Sequence, residues 1–197
     1  MTEEQTHPES TAQNLPTEPN PNSSALVKLE MPEANEDEVK ETAALFDALK
    51  KRISAQLENV GNITREVYQR IVNQEIESLK KNKTIAQEKL DTAVKLIKQE
   101  TEKNWTVIDA IKSRALAQVH QAGNVTRSAY LEAVTKARKA LEDNPLIEKE
   151  RLDEAVHQIQ SQAEKNWQSI TEDLESLGHR LQDTAKNAWS TLKSAFR

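Results

Sequence analysis

From Leu45 onward the apolar residues fall at helical spacing. Leu45, Leu49, Ile53, Leu57, Val60, Ile63, Val67 and Ile71 step by four or three, and Val107, Ile111, Ala115, Val119, Ala122, Val125, Ala129 and Ala133 repeat those steps. The mean step of about 3.7 residues is close to a straight helix and wider than the 3.5 of a left-handed coiled coil. Each series passes through a Gly-Asn pair, Gly61-Asn62 or Gly123-Asn124, without losing phase. Each pair is therefore either a kink inside a long helix or a tight break with Asn as the next cap. The firmest break is Asp143-Asn144-Pro145, where Asn would cap and Pro would take the first helical position; Lys81-Asn82-Lys83 stands as its equivalent. The pattern predicts helical segments near 38–81, 84–142 and 145–196, with Gly61, Gly123 and Gly178 as candidate points for a kink or a further break. Long segments joined by tight turns imply an elongated antiparallel bundle.

The two series belong to an internal duplication. At an offset of 62 residues, without gaps, Gly61, Asn62, Thr64, Arg65 and Tyr68 fall on Gly123, Asn124, Thr126, Arg127 and Tyr130, and Glu102-Lys103-Asn104-Trp105 recurs as Glu164-Lys165-Asn166-Trp167. Between 61–108 and 123–170 there are 20 identities in 48 positions, more than one gapless register gives by chance. The likeness extends backward, with Asp47, Lys50, Arg52 and Gln56 falling on Asp109, Lys112, Arg114 and Gln118. The chain reads as about two and a half copies of a 62-residue helical repeat: a half copy at 38–60, copy one at 61–122 and copy two at 123–184. Such units bury their apolar stripes against one another.

Composition narrows the class. Three glycines among 197 residues cannot supply the frequent turns of a sandwich or barrel, so the fold class is all-α. The absence of Cys excludes disulfides, thiolate metal sites and thiol nucleophiles. No apolar run has the roughly 18 residues of a membrane span, and the acidic start at Glu3 and Glu4 lacks a signal-peptide pattern. The expectation is a cytoplasmic chain. The net charge of −5 is carried by one end: residues 1–38 hold nine acids against Lys28 alone, whereas the remainder is nearly neutral with both signs interleaved. That balance lacks the basic face of a nucleic-acid binder. Five of the six prolines also lie in this stretch, so residues 1–37 are expected to be a disordered acidic tail ahead of a helical bundle at 38–197.

Candidate chemistry is sparse. Glu154 and His157 have the Glu-x-x-His spacing of helical-bundle metal sites, but copy one has Thr92 and Lys95 there and no second such pair exists. Without a phosphate loop, nucleophile elbow or paired-carboxylate motif, neither a metal, a cofactor nor an enzymatic reaction is expected. The duplicated surface residues carry more. Trp105 and Trp167, with Asn104, Asn166, Tyr68 and Tyr130, either lock corresponding helix contacts in the two copies or form a repeated partner dock with Trp as its anchor.

The C-terminal stretch 177–197 departs from the repeat. Leu177, Leu181, Ala185, Ala188, Trp189, Leu192, Ala195 and Phe196 recur at helical spacing, and Arg180, Lys186, Lys193 and Arg197 outnumber Asp183 on the polar side. A basic amphipathic helix of this kind either closes the bundle, or binds an anionic membrane through Trp189, Leu192, Phe196, Lys186, Lys193 and Arg197. The leading expectation is a non-catalytic helical repeat scaffold or adaptor that binds protein partners and self-associates, because its Ala-containing stripe is narrow for a single-chain core. The alternative is a peripheral lipid-surface protein.

Overall fold

The computed structural model describes residues 19–61, 63–81 and 85–196, the side chain of His179 excepted. Every regular element among them is helical: α1 (Pro21–Glu30), α2 (Glu36–Glu58), α3 (Arg65–Lys80), α4 (Gln87–Ala122), α5 (Arg127–Glu142), α6 (Lys149–Lys165), α7 (Trp167–Leu177) and α8 (Leu181–Ala195), with a 3-10 turn at Gly178–Arg180. The chain is all-α, as its composition requires. No helix among the described residues is long and apolar enough to cross a membrane.

The glycine positions break the chain. α2 stops before Gly61, and α4 ends on Gly123, whose φ of 65° lies in the left-handed region that a residue without Cβ enters freely. The caps of the following helices are threonines, two residues later than the Asn expected from sequence. Thr64 Oγ1 accepts from Val67 N at 3.3 Å and Thr126 Oγ1 from Ala129 N at 3.2 Å, each satisfying a donor of the first helical turn. Asn124 instead accepts from Thr126 N through its carbonyl, closing the turn ahead of the cap; Asn62 lies outside the described residues.

Asn144-Pro145 also departs from expectation. Asn144 accepts from Leu146 N through its side chain, at 3.0 Å, and from Ile147 N through its carbonyl, at 3.1 Å, so the pair forms a turn. That turn buries Ile147, and α6 begins only at Lys149. The equivalent stretch at Asn82 lies outside the described residues.

Part of the stretch expected to be a disordered tail, residues 1–37, is helical. Residues 1–18 lie outside the described residues, but Pro21–Glu30 is helix α1, with Asn20 as cap and Pro at the first helical position. Val27 is fully buried, Ser23 and the Asn20 N–H both donate to Asp47 of α2, and Glu30 pairs with Lys95 of α4. The Pro-rich composition of the whole stretch hides an apolar segment, Ala25 to Leu29, that contributes an anchor. α2 then starts at Asn35 with a capping box, its side chain accepting from Glu38 N and the Glu38 carboxylate accepting from Asn35 N, each at 3.0 Å.

α4 is the axis of the molecule. At 36 residues it is about 54 Å long, and it packs against α1, α2, α3, α5, α6 and α8. Ala93, Val107, Ala110, Ile111 and Ala115 are fully buried along it, and the alanines let neighbouring helices approach closely. α8 makes its main packing contact with α4, burying Leu181, Ala188 and Leu192. The C-terminal helix thus has one face packed in the core.

Candidate functional site

Tyr68 on α3 meets Trp105 on α4 with ring centroids 6.1 Å apart and planes at 60°, and Tyr130 on α5 meets Trp167 on α7 at 5.8 Å and 57°. Both are tilted pairs of the kind aromatic quadrupoles favour. Both tyrosines are buried, and both tryptophans are half-buried against the core. The six residues expected to lock helices or to form a repeated dock are thus brought together as two Tyr–Trp pairs, each with its Asn beside it in sequence.

The two asparagines have different partners. In α4, Asn104 hydrogen-bonds the Tyr68 hydroxyl and also accepts from Arg151 Nη1. At the equivalent point the chain breaks between α6 and α7, and Asn166 caps α7, accepting from Ser169 N at 3.3 Å. The Tyr130 hydroxyl is buried with no hydrogen-bond partner among the described residues. An unmet buried hydroxyl costs about 1–3 kcal/mol. Tyr130→Phe is therefore expected to be neutral or stabilising in urea unfolding, and Tyr68→Phe to destabilise; a larger loss at Tyr130 than at Tyr68 would contradict this assignment. Burial moves the Tyr68 phenol from 10.0 up to about 12, moderated by Asn104, and raises Tyr130 further. Raised folded-state values favour the protonated form, so the fold is expected to lose stability as pH rises above 10.0, for Tyr68 up to about 12.

Buried charged side chains lie near Tyr68. Arg151, at the start of α6 and almost fully buried, donates from Nη2 to Glu100 at 2.6 Å and to Glu148 at 3.1 Å. Tyr68 feels the charges of Glu154, Arg151 and Glu100. A second buried carboxylate, Glu75 on α3, accepts from Gln56 and lies 2.7 Å from Arg52 Nε, both on α2. These pairs join helices, and each charge meets its opposite. Glu154 accepts from Gln158 at 2.7 Å, whereas exposed His157 faces Glu58 at 3.9 Å, so the two do not share one ligand position. No group of His, Asp or Glu able to hold a metal ion exists among the described residues.

On α8 the candidate lipid-facing residues divide. Leu192 is buried, Trp189 and Phe196 are half-buried, Lys186 and Lys193 are exposed, and Arg197 lies outside the described residues. Arg114 of α4 stacks its guanidinium 4.4 Å from the Trp189 ring centre, and Arg151 lies 5.9 Å from that of Phe196. Sequence reasoning missed Arg114. Its signal was present in the duplication, because Arg52 recurs as Arg114 while Glu75, the partner of Arg52, recurs as Ala137. No known family model, curated protein or solved structure matches this chain.

Proposed function

We propose that this chain is a non-catalytic helical repeat scaffold or adaptor that self-associates. In this reading α2, α3 and the first half of α4 make one three-helix unit, and the second half of α4 with α5 and α6 makes the next. Consecutive helices run antiparallel along an elongated bundle that α7 and α8 close. The element bounds support it: α3 and α5 begin and end 62 residues apart, and so do the starts of α4 and α6. The aromatic pairs and buried ion pairs join helices to one another, which leaves the outer faces and helix ends for partners. Burial of Leu192 against α4 favours this reading over one in which α8 inserts into lipid.

The observation that carries self-association is the unequal treatment of the two Gly-Asn tips. Support does not come from the narrow stripe, since α4 and α8 bury it within one chain. In the first tip Ile63 is 2% exposed, and Lys165 and Asn166 of the second copy lie beside that tip: Lys165 Nζ donates to the Glu58 carbonyl, and the Asn166 side chain stands within 4 Å of where a Cβ on Gly61 would be. In the second tip the corresponding Val125 is 47% exposed, and residues 121–128 are all exposed. The surface that one copy covers in its neighbour stands open at the end of the array, and a second chain would cover it.

Sedimentation velocity is expected to show concentration-dependent association of the wild-type chain, and its loss in Val125→Asp with helicity unchanged. A wild-type monomer across the micromolar range, or an associating Val125→Asp variant, would overturn the assignment.

A further inference from the structure

Each buried or half-buried arginine among the described residues has a carboxylate partner except one. Arg52 has Glu75, Arg138 has Asp153 and Glu142, and Arg151 has Glu100 and Glu148. Arg114 is half-buried and makes no ion pair; its guanidinium lies over Trp189 instead. The duplication supplies the reason, since Ala137 stands where the acid would be. A guanidinium that is stacked on an indole is held in orientation while its N–H fork stays available to an oxyanion.

Two further cations face the same place. Arg114, Ala185, Lys186, Trp189, Ser190 and Lys193 line an open groove of about 400 Å³ between α4 and α8. Among the described residues Lys193 makes no ion pair, and Lys186 has only Asp183, at 4.0 Å with both side chains largely exposed. Three cations against this one carboxylate leave an excess of about two positive charges, the complement of a phosphomonoester dianion. Ala185 and Trp189, which also line the groove, would lie beside the organic part of such an ester.

We infer that the groove between α4 and α8 binds a phosphomonoester, with Arg114 as the bidentate ligand and Lys186 and Lys193 as flanking charges. This goes beyond the scaffold reading and stands without it. The ester comes either from a soluble metabolite or from a lipid headgroup, and the chemistry recognised is the same.

The test uses the full chain with two probes: glycerol phosphate followed by calorimetry, and phosphatidylcholine vesicles with or without phosphatidate followed by co-sedimentation. Arg114→Gln is expected to weaken binding about 10-fold or more, and Lys193→Glu to weaken it similarly. Lys136→Glu, a charge change on α5, should leave binding unchanged. Binding of glycerol phosphate alone supports a soluble ester; binding of phosphatidate vesicles, competed by glycerol phosphate, supports a headgroup. Far-UV circular dichroism checks that the variants are folded, and Lys193→Glu, altering an exposed side chain, carries the test if Arg114→Gln is not. No binding of either probe, or equal losses in Lys193→Glu and Lys136→Glu, would overturn the inference.

Discussion

Replacing Arg151 by methionine is expected to destabilise the fold by about 3–5 kcal/mol, the cost of leaving a buried charge without its partner. Arg151 joins α6 to α4 through Glu100 and Asn104, and its guanidinium lies near Phe196 beyond the end of α8. Without it Glu100, itself only 7% exposed, keeps a single partner, the partly exposed Lys103 at 3.4 Å. Asn104 also loses the donor to its carbonyl. The double variant Glu100→Met, Arg151→Met should recover most of the loss, because no charge is then buried, and urea unfolding of the four proteins of the cycle measures the coupling. A single variant as stable as wild type would mean that Arg151 is hydrated and that the cluster is not an interior element. Arg151→Lys should fall between, since Lys89, at the same place in the first copy, pairs only with Glu41 on the surface.

Leu192→Ala is the second large expected effect, a loss of about 2–5 kcal/mol in the same assay. Leu192 is 1% exposed, and its burial belongs to the contact between α8 and α4 that closes the core. Alanine at the neighbouring exposed Lys193 should change stability by no more than about 0.5 kcal/mol. The comparison separates two uses of the same amphipathic helix. A helix that faces lipid leaves its apolar residues unsupported in the free protein, so truncating one would cost little; a helix that closes a core loses packing at once. Equal stability of Leu192→Ala and Lys193→Ala would return α8 to the role of a surface helix.

Much of the fold was legible because helical periodicity is a local property. The stripe Leu45, Leu49, Ile53 and Leu57 is buried as its spacing requires, and so are Val107, Ile111, Ala115 and Val119. The breaks were harder. Whether Gly61 and Gly123 kink or stop a helix depends on where the next cap is satisfied, and Thr64 and Thr126 compete with the asparagines for that role. At Pro145 the burial of Ile147 overrides the favourable first-turn position of proline. α1 was hidden because composition averages over a window, and one Val27 in a pocket outweighs several neighbouring prolines.

The site-level differences were less legible because identical residues in the two copies take different partners. Asn104 and Asn166 share their flanking Lys and Trp, yet one lies within a continuous helix and serves Tyr68, whereas the other caps a new helix and leaves Tyr130 unmet. Arg52 and Arg114 diverge through a change 23 residues away, at Glu75 and Ala137. Identity in the self-alignment locates the unit; the non-identical partners of identical residues locate where the copies do different work.

The proposed self-association turns on the open tip at Val125, and the chain's lack of cysteine makes that tip accessible to a single spin label. Gln121→Cys places a nitroxide on an exposed position beside that tip without altering Val125. The label is expected to be mobile in dilute protein and to become immobilised as concentration rises, and Val125→Asp is expected to abolish the change. A spectrum that stays mobile and independent of concentration would contradict the covering of this tip by a second chain.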